Sequence, residues 1–369
     1  MRLSCVGHAF IKGVNMNKNL SMKLAPESAP VQRLMAPKTW QRHEEHFVTA
    51  LSHPWYAMVT KLNGLIAYVT NDFFREKGYL PTLMPITSEA VTSPMGLGSD
   101  SLPVSVTLFD KMTYLADSMQ FHLEYMLRQH PHGVFYIMPT FRGEDHSSRH
   151  LNQFFHIEAE FCGKLDDLLN TIEDLMARYT QAIVDSLGDE LVRAGMSIDH
   201  LESFLEQAKT GLPRVQFSEA MKILGPDPKW YNLMEGEPLS LTGIAEKELL
   251  KKYGEAVWLT HLPKLGVPFY QAGHSDGKSA LCADLLMGIG ETVGSGQRHY
   301  SYEDTLNAFK ERNVDPSSYD WYLRMKKEYP MQTCGFGIGL ERYLLWVLQH
   351  DDIRDMQVMV RLKGQKCIP

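Results

Sequence analysis

Apolar residues recur at three- and four-residue spacing over residues 54–77, with Tyr56, Val59, Leu62, Ile66, Val69 and Phe73 on one face. The spacing predicts an amphipathic helix, stopped by Gly78. Residues 79–85 leave it as an extended segment, and residues 93–106, rich in Ser, Gly and Pro, read as a mobile loop. A helix is expected over 115–128 and strands over 134–138 and 154–161. In the second strand, alternation sets Phe155, Ile157, Ala159 and Phe161 on one face and Phe154, His156, Glu158 and Glu160 on the other. Two acids on one strand face are costly unless they meet cations, so this face is expected to line a site. A second long amphipathic helix is predicted over 166–187. Residues 194–253, where helical patches alternate with Pro and Gly, read as an insertion of short helices that either covers an acceptor entrance or, as the simpler reading, decorates the edge. Strands resume at 256–262 and 280–292, and a last helix runs over about 340–350. Strands grouped around one cleft with helices set aside predict an α+β fold with an antiparallel sheet.

Composition narrows the class. The chain has 369 residues, 44% hydrophobic and 22% charged, enough for a substantial core in one large domain or two small ones. No run of 18 apolar residues is present, so no membrane span is expected. The formal net charge of −7 is opposite in sign to that usual for proteins that grip nucleic-acid phosphates. Cys5, Cys162, Cys282, Cys334 and Cys367 form no CxxC pair, which argues against a disulfide framework or thiolate zinc site and for a reducing cytoplasm. Residues 1–32 read as an irregular N-terminal tail ahead of one domain over 33–369, with the helical insertion at about 194–253.

Three segments carry chemistry. Between the 134–138 and 154–161 strands lie Arg142, Glu144, Arg149 and His150. Arginines there can pair bidentately with phosphate oxygens while a carboxylate accepts from an amine; a solvated loop with incidental salt bridges is the alternative. Asp284 and Glu291 flank a Gly-Ile-Gly turn and could face one cleft as hard oxygen ligands for Mg²⁺ bridging nucleotide phosphates, with Arg298 just beyond. An acid pair of this kind can also be a plain surface feature. Residues 335–342 read GFGIGLER, a strand-to-helix transition that places Arg342 in the first helical turn. That spacing fits neither the dinucleotide fingerprint nor the P-loop.

In this order and at these separations, the three segments resemble the catalytic core of class II aminoacyl-tRNA synthetases, closest to the asparaginyl and aspartyl branch. Residues 77–85 look like the first motif, which builds a dimer interface. Phe141-Arg142-x-Glu144 with Arg149-His150 looks like the second, and residues 335–342 like the third. Residues 288–298 are especially similar to the asparaginyl branch. The resemblance covers roughly residues 31–364 and implies a class II synthetase-like antiparallel sheet flanked by helices. It further implies ATP bent over that sheet, with Arg142 on the α-phosphate, Glu144 reading the adenine amine and Phe154 stacked on the ring. Arg149, His150 and Arg342 would hold the outer phosphates, and Asp284 and Glu291 would carry Mg²⁺. Arg142, Arg342 and Glu291 would be the catalytic set; Gln120, Glu158, Glu160 and Arg298 would meet the amino acid.

Departures from the family shape the functional expectation. No anticodon-binding OB barrel is expected ahead of the first motif, because such a barrel needs about a hundred residues. The 92–101 stretch lacks the usual Glu of the substrate loop, Leu123 stands where aspartyl enzymes have a lysine, and Gln153 replaces a usual Glu. These features, with the Ser118-Met119-Gln120 segment, are similar to the asparagine synthetase-like paralogues of asparaginyl-tRNA synthetase. The resemblance thus implies a homodimeric, cytoplasmic, tRNA-independent ligase. It would activate aspartate or a close analogue as an acyl-adenylate and pass it to ammonia or a small amine, releasing AMP and pyrophosphate, with tRNA not a partner. The alternatives are a truncated asparaginyl-tRNA synthetase that charges tRNA, and a non-catalytic regulatory pseudo-synthetase.

Overall fold

The helix predicted by the first apolar stripe spans Pro54–Glu76 in the computed structural model, which describes residues 32–92, 97 and 101–368. The tail up to residue 31, and residues 93–96 and 98–100 of the expected loop, lie outside the described residues. A proline at its first position and the His53 Nδ1, which accepts from the Trp55 N–H, start this helix, and Gly78 at φ 76° follows its end. Val59, Leu62 and Ile66 are fully buried, each contributing roughly 1.5–3 kcal/mol before entropy is counted. The stripe packs against the second long helix, Leu165–Arg193, where the Thr70 and Tyr179 hydroxyls pair at 2.6 Å. Tertiary packing, rather than helix propensity, holds the pair together.

Both helices cover one face of an eight-stranded sheet. Its strands are β1 (Leu80–Pro81), β2 (Val134–Phe141), β3 (Gln153–Cys162), β4 (Arg214–Gln216), β5 (Ala256–Thr260), β6 (Cys282–Met287), β7 (Gly290–Gln297) and β8 (Thr333–Gly339). The spatial order is β1-β2-β3-β8-β7-β6-β5-β4. The six inner strands are antiparallel, as predicted, while β1 and β4 add parallel edges. Alternation on β3 works as the sequence suggests: Ile157, Ala159 and Phe161 enter the main core beneath the helices, and Glu158 and Glu160 point to the opposite face. No helix among the described residues is long and apolar enough to cross a membrane.

Three elements differ from the sequence prediction. The 115–128 helix starts only at Gln120, because Lys111–Leu115 pairs as a strand with Val104–Leu108, which begins inside the segment that reads as loop. Between strand and helix, Asp117 and Ser118 turn inward, where Asp117 accepts from the Thr92 N–H and hydroxyl. The 194–253 insertion is neither all helical nor decorative. Besides the helices Asp199–Ala208, Phe217–Leu224 and Gly243–Tyr253, it supplies β4 and a hairpin of Tyr231–Met234 and Glu237–Leu241. Its Val215, Phe217, Leu241, Ala245 and Leu249 bury against Val257, Leu259 and Leu286 of the sheet. The apolar faces of these short pieces need the sheet to cover them, which per-segment periodicity does not reveal.

Candidate active site

The sheet face opposite the long helices floors a cavity of about 600 Å³, whose walls include Gln120, Arg142, Glu144, Arg149, His150, Glu158, Asp284, Glu291, Arg298 and Arg342. Phe154 lines a smaller recess at the same end, and Glu160 lies directly beneath Arg298. All twelve site residues predicted from sequence therefore converge.

At one end, the β2–β3 loop is pinned by Asn152, whose Nδ2 donates to the carbonyls of Arg142 (3.0 Å) and Glu144 (2.6 Å). The Arg142 guanidinium stands 5.4 Å from the Phe154 ring centroid, and its Nε is buried without a partner among the described residues. Glu144 accepts from the Leu102 N–H at 3.0 Å, which ties the loop to the segment entering Val104–Leu108. Arg149 pairs with Glu246 at 3.0 Å. Arg342, in the first turn of the Leu340–Val347 helix, donates to the Glu291 carbonyl at 2.7 Å and lies 3.4 Å from its carboxylate. Its neighbour Glu341 is a brace: fully buried, it accepts from the Phe155 N–H and from Gln357, and burial raises its carboxyl above the ordinary range.

The β6–β7 hairpin carries the acid pair. A register shift between Leu285 and Leu286 sets Asp284 opposite Gly294 and Glu291 opposite Leu286. Burial, then the charges of Glu291 and Glu246, push the Asp284 carboxyl well above its usual range, with Arg342 opposing. Such a concentration of negative charge calls for a cation, and two hard carboxylates match Mg²⁺, which keeps most of its ligands as water and substrate phosphate. Among the described residues no cluster of three or more His, Cys, Asp or Glu forms an all-protein metal cage.

At the other end Arg298, 1% exposed, donates through Nε and Nη2 to the same Glu160 oxygen at 3.0 and 2.5 Å. It also donates to Gln271 (2.9 Å) and Gln120 (3.2 Å), with the Tyr270 ring 5.1 Å away. Burial raises the Glu160 carboxyl while the Arg298 charge lowers it. Glu158 accepts from Ser118 at 2.7 and 2.9 Å and from the Tyr136 hydroxyl, and stands 3.2 Å from His156 Nδ1. Despite burial, those partners hold its carboxyl below the usual range. Gly335 and Gly337 lie opposite Glu160 and Glu158 in register; a Cβ at Gly335 would run into the Glu160 carboxylate, and one at Gly337 would press tightly on Glu158. The glycine pattern thus makes room for the protein's own acids, not only for a ligand.

Sequence reasoning missed Glu246, Gln271, Tyr270 and Ser118 as site residues. Ser118 sat in a segment already singled out, whereas Glu246 looks like any charged residue of the Gly243–Tyr253 helix, with no local signal.

A family model described as tRNA synthetases class II (D, K and N) matches residues 41–363. An asparagine–tRNA ligase of Thermoplasma acidophilum is 30% identical over 322 residues, 84% of this chain and 72% of that protein. One from Thermococcus gammatolerans is 29% identical, covering 82% and 69%. In structure, asparaginyl-tRNA synthetase from Pyrococcus horikoshii complexed with asparaginyl-adenylate superposes with a TM-score of 0.78 at 26% identity, covering 87% of this chain and 72% of that one.

These findings overturn two expectations: the tRNA-independent amide ligase, and tRNA as an excluded partner. The relatives are tRNA ligases matched over most of this chain. A net charge of −7 sums the whole molecule and describes no particular surface, so it does not exclude a nucleic-acid partner. The chain belongs to the class II tRNA synthetases (D, K and N) and is an AMP-forming ligase with a catalytic core close to asparaginyl-tRNA synthetase.

Proposed function

We propose that the protein activates asparagine with ATP, forming asparaginyl-adenylate and pyrophosphate, and transfers the asparaginyl group to tRNA. One observation carries the choice of amino acid: Arg298, the buried cation of the pocket, is already neutralised by Glu160. An amide side chain adds a carbonyl acceptor and N–H donors without charge. An aspartate carboxylate would bring a second negative charge to one guanidinium in a desolvated site. The names of the relatives, and the adenylate bound in the Pyrococcus horikoshii structure, support the same reading.

In this reading an α-carboxylate oxygen of asparagine attacks the α-phosphorus, the P–O bond to pyrophosphate breaks, and a mixed anhydride remains. No proton moves in that step, so acid–base catalysis has little to contribute. Arg142 faces the α-phosphate and Phe154 stacks on adenine. Glu144 offers its second oxygen to the adenine amine, the first being held by Leu102. Arg149, His150 and Arg342 face the outer phosphates. The rate derives from alignment and from cations fixed before charge develops. Asp284 and Glu291 would hold Mg²⁺, which when bound neutralises phosphate charge. Gln120, Glu158, Glu160 and Arg298 orient the amino acid, with the Glu158 carboxylate accepting from its N–H donors.

The test is pyrophosphate exchange followed by charging. We expect asparagine-dependent exchange of label between pyrophosphate and ATP, and asparaginyl-tRNA when tRNA is added. Exchange with aspartate alone, or free asparagine made from aspartate and ammonium, would sink the reading.

We further propose a homodimer formed through the β1 edge. Leu80, Leu83 and Ile86 are exposed there, with Leu83 wholly in solvent, and β1 pairs on one side only among the described residues. Sedimentation should give a dimer that Leu83→Glu converts to monomer; a monomeric unsubstituted protein disproves it.

A further inference from the structure

The Gln120–Leu127 helix presents Gln120 and Glu124 one turn apart, on the same face. Gln120 touches the amino-acid end of the cavity; Glu124 lies behind it, 1% exposed, against the fully buried Lys326 of the Asp320–Glu328 helix. Lys326 Nζ donates to Glu124 at 2.6 Å and to the His299 carbonyl at 2.8 Å. The same carboxylate accepts from the Tyr322 hydroxyl at 2.6 Å and the Thr333 hydroxyl at 3.2 Å. Burial opposes its charge, but Lys326 and Arg128 hold the carboxyl well below the usual range.

These contacts close a ring around Arg298. Its guanidinium reaches Gln120; its peptide N–H donates to the Thr333 carbonyl at 2.9 Å; and its carbonyl-side neighbour, His299, is held by Lys326. Both the backbone and the tip of Arg298 are thereby referred to one helix. A buried ion pair is a poor source of stability, since apolar side chains of the same volume would serve as well. Its value lies in placement: a fully buried ammonium must have its donors satisfied, which ties the Glu124 carboxylate and the His299 carbonyl to one point.

We infer that the Lys326–Glu124 pair is a positioning device for Arg298 that sets the affinity and amide selectivity of the amino-acid pocket without touching the amino acid. This rests on the reading of Arg298 as the side-chain contact for asparagine.

The test uses Glu124→Gln/Lys326→Met, which removes both charges of the pair, leaves Arg128 its 2.7 Å hydrogen bond to the residue-124 carbonyl, and keeps a polar partner for Tyr322 and Thr333. Pyrophosphate exchange should show the KM for asparagine rising by about tenfold or more, since a misplaced contact group costs up to about a hundredfold, while the KM for ATP stays within about twofold. A folded double variant with a normal asparagine KM overturns the proposal, and so does one in which both KM values rise together, as a general packing defect would give. Should the double variant not fold, Tyr322→Phe replaces it as the test. That change removes one hydrogen bond to Glu124 and is expected to raise the asparagine KM about threefold; an unchanged value counts against the device. Absence of asparagine-dependent exchange in the unsubstituted protein would instead overturn the reading of the pocket, and the proposal with it.

Discussion

Glu160→Gln is expected to lower kcat/KM for asparagine by about a hundredfold and to raise activation of aspartate from background to measurable turnover. In the unsubstituted protein Glu160 spends its charge on Arg298, with two N–H groups on one carboxylate oxygen. The amide keeps the shape but not the charge. Arg298 then becomes a buried cation whose immediate partners are the side chains of Gln120 and Gln271 and the newly introduced amide, none of them a counter-ion. Stranding a buried charge typically costs roughly 3–5 kcal/mol, and an aspartate side chain can recover part of it. Thermal melts supply the check: aspartate should stabilise the variant more than asparagine does, and asparagine should stabilise the unsubstituted protein more than aspartate. A variant that still prefers asparagine in both assays refutes this account. The same logic gives a pH dependence. Burial holds the Glu160 carboxyl above its ordinary range, so as pH falls the proton it takes up mimics the amide substitution. Aspartate activation relative to asparagine should therefore rise as pH is lowered and be flat in Glu160→Gln.

Much of this site was legible in the chain, for reasons that differ from residue to residue. The β3 alternation was readable because a period of two has only two faces, and two acids on one of them demand an explanation. The Leu340–Val347 helix and the Pro54–Glu76 helix announce themselves by apolar periodicity alone. Arg142, Glu144, Arg149 and Arg342 were found because they sit in short segments of unusual composition. The meaning of the glycines was harder to read. Gly335 and Gly337 suggested an approach to ligand, whereas the cross-strand register shows them clearing space for Glu160 and Glu158, and register is a property of strand pairs rather than of one segment. Glu246 and Lys326 were invisible for a related reason. Each is a charged residue on a short helix, and only long-range packing brings one to Arg149 and the other to Glu124. The functional expectation failed at the same level. In the proposed reading, substrate choice depends on whether the charge of Arg298 is free or spent, and its partner Glu160 lies 138 residues away in sequence.

Glu291→Gln should abolish turnover, with kcat down by about a hundredfold or more, and yet leave the ligand-free protein at least as heat-stable as before. The side chain is 43% exposed, and its only close cation among the described residues is Arg342, which retains the Glu291 carbonyl at 2.7 Å. Little native packing is lost. What is removed is repulsion: after burial itself, Glu291 is the largest influence raising the Asp284 carboxyl. An acid whose folded pKa exceeds its unfolded value destabilises the fold wherever the unfolded chain is ionised and the native group resists ionisation. Stability then falls as pH rises through the window between those two values. Melting temperature of the ligand-free protein should accordingly carry a component that rises as pH is lowered from neutrality, and Asp284→Asn should remove that component. Activity moves the other way, because the charge that strains the empty cleft is the charge expected to hold Mg²⁺ against the phosphates, and electrostatic groups of this kind are typically worth about 10²–10³ in kcat. Exchange kinetics alongside melts of Glu291→Gln separate the two effects. A variant that melts lower while keeping turnover would assign Glu291 to the scaffold instead. A variant inactive yet equally or more stable would mark the acid pair as a site where stability is given up for chemistry.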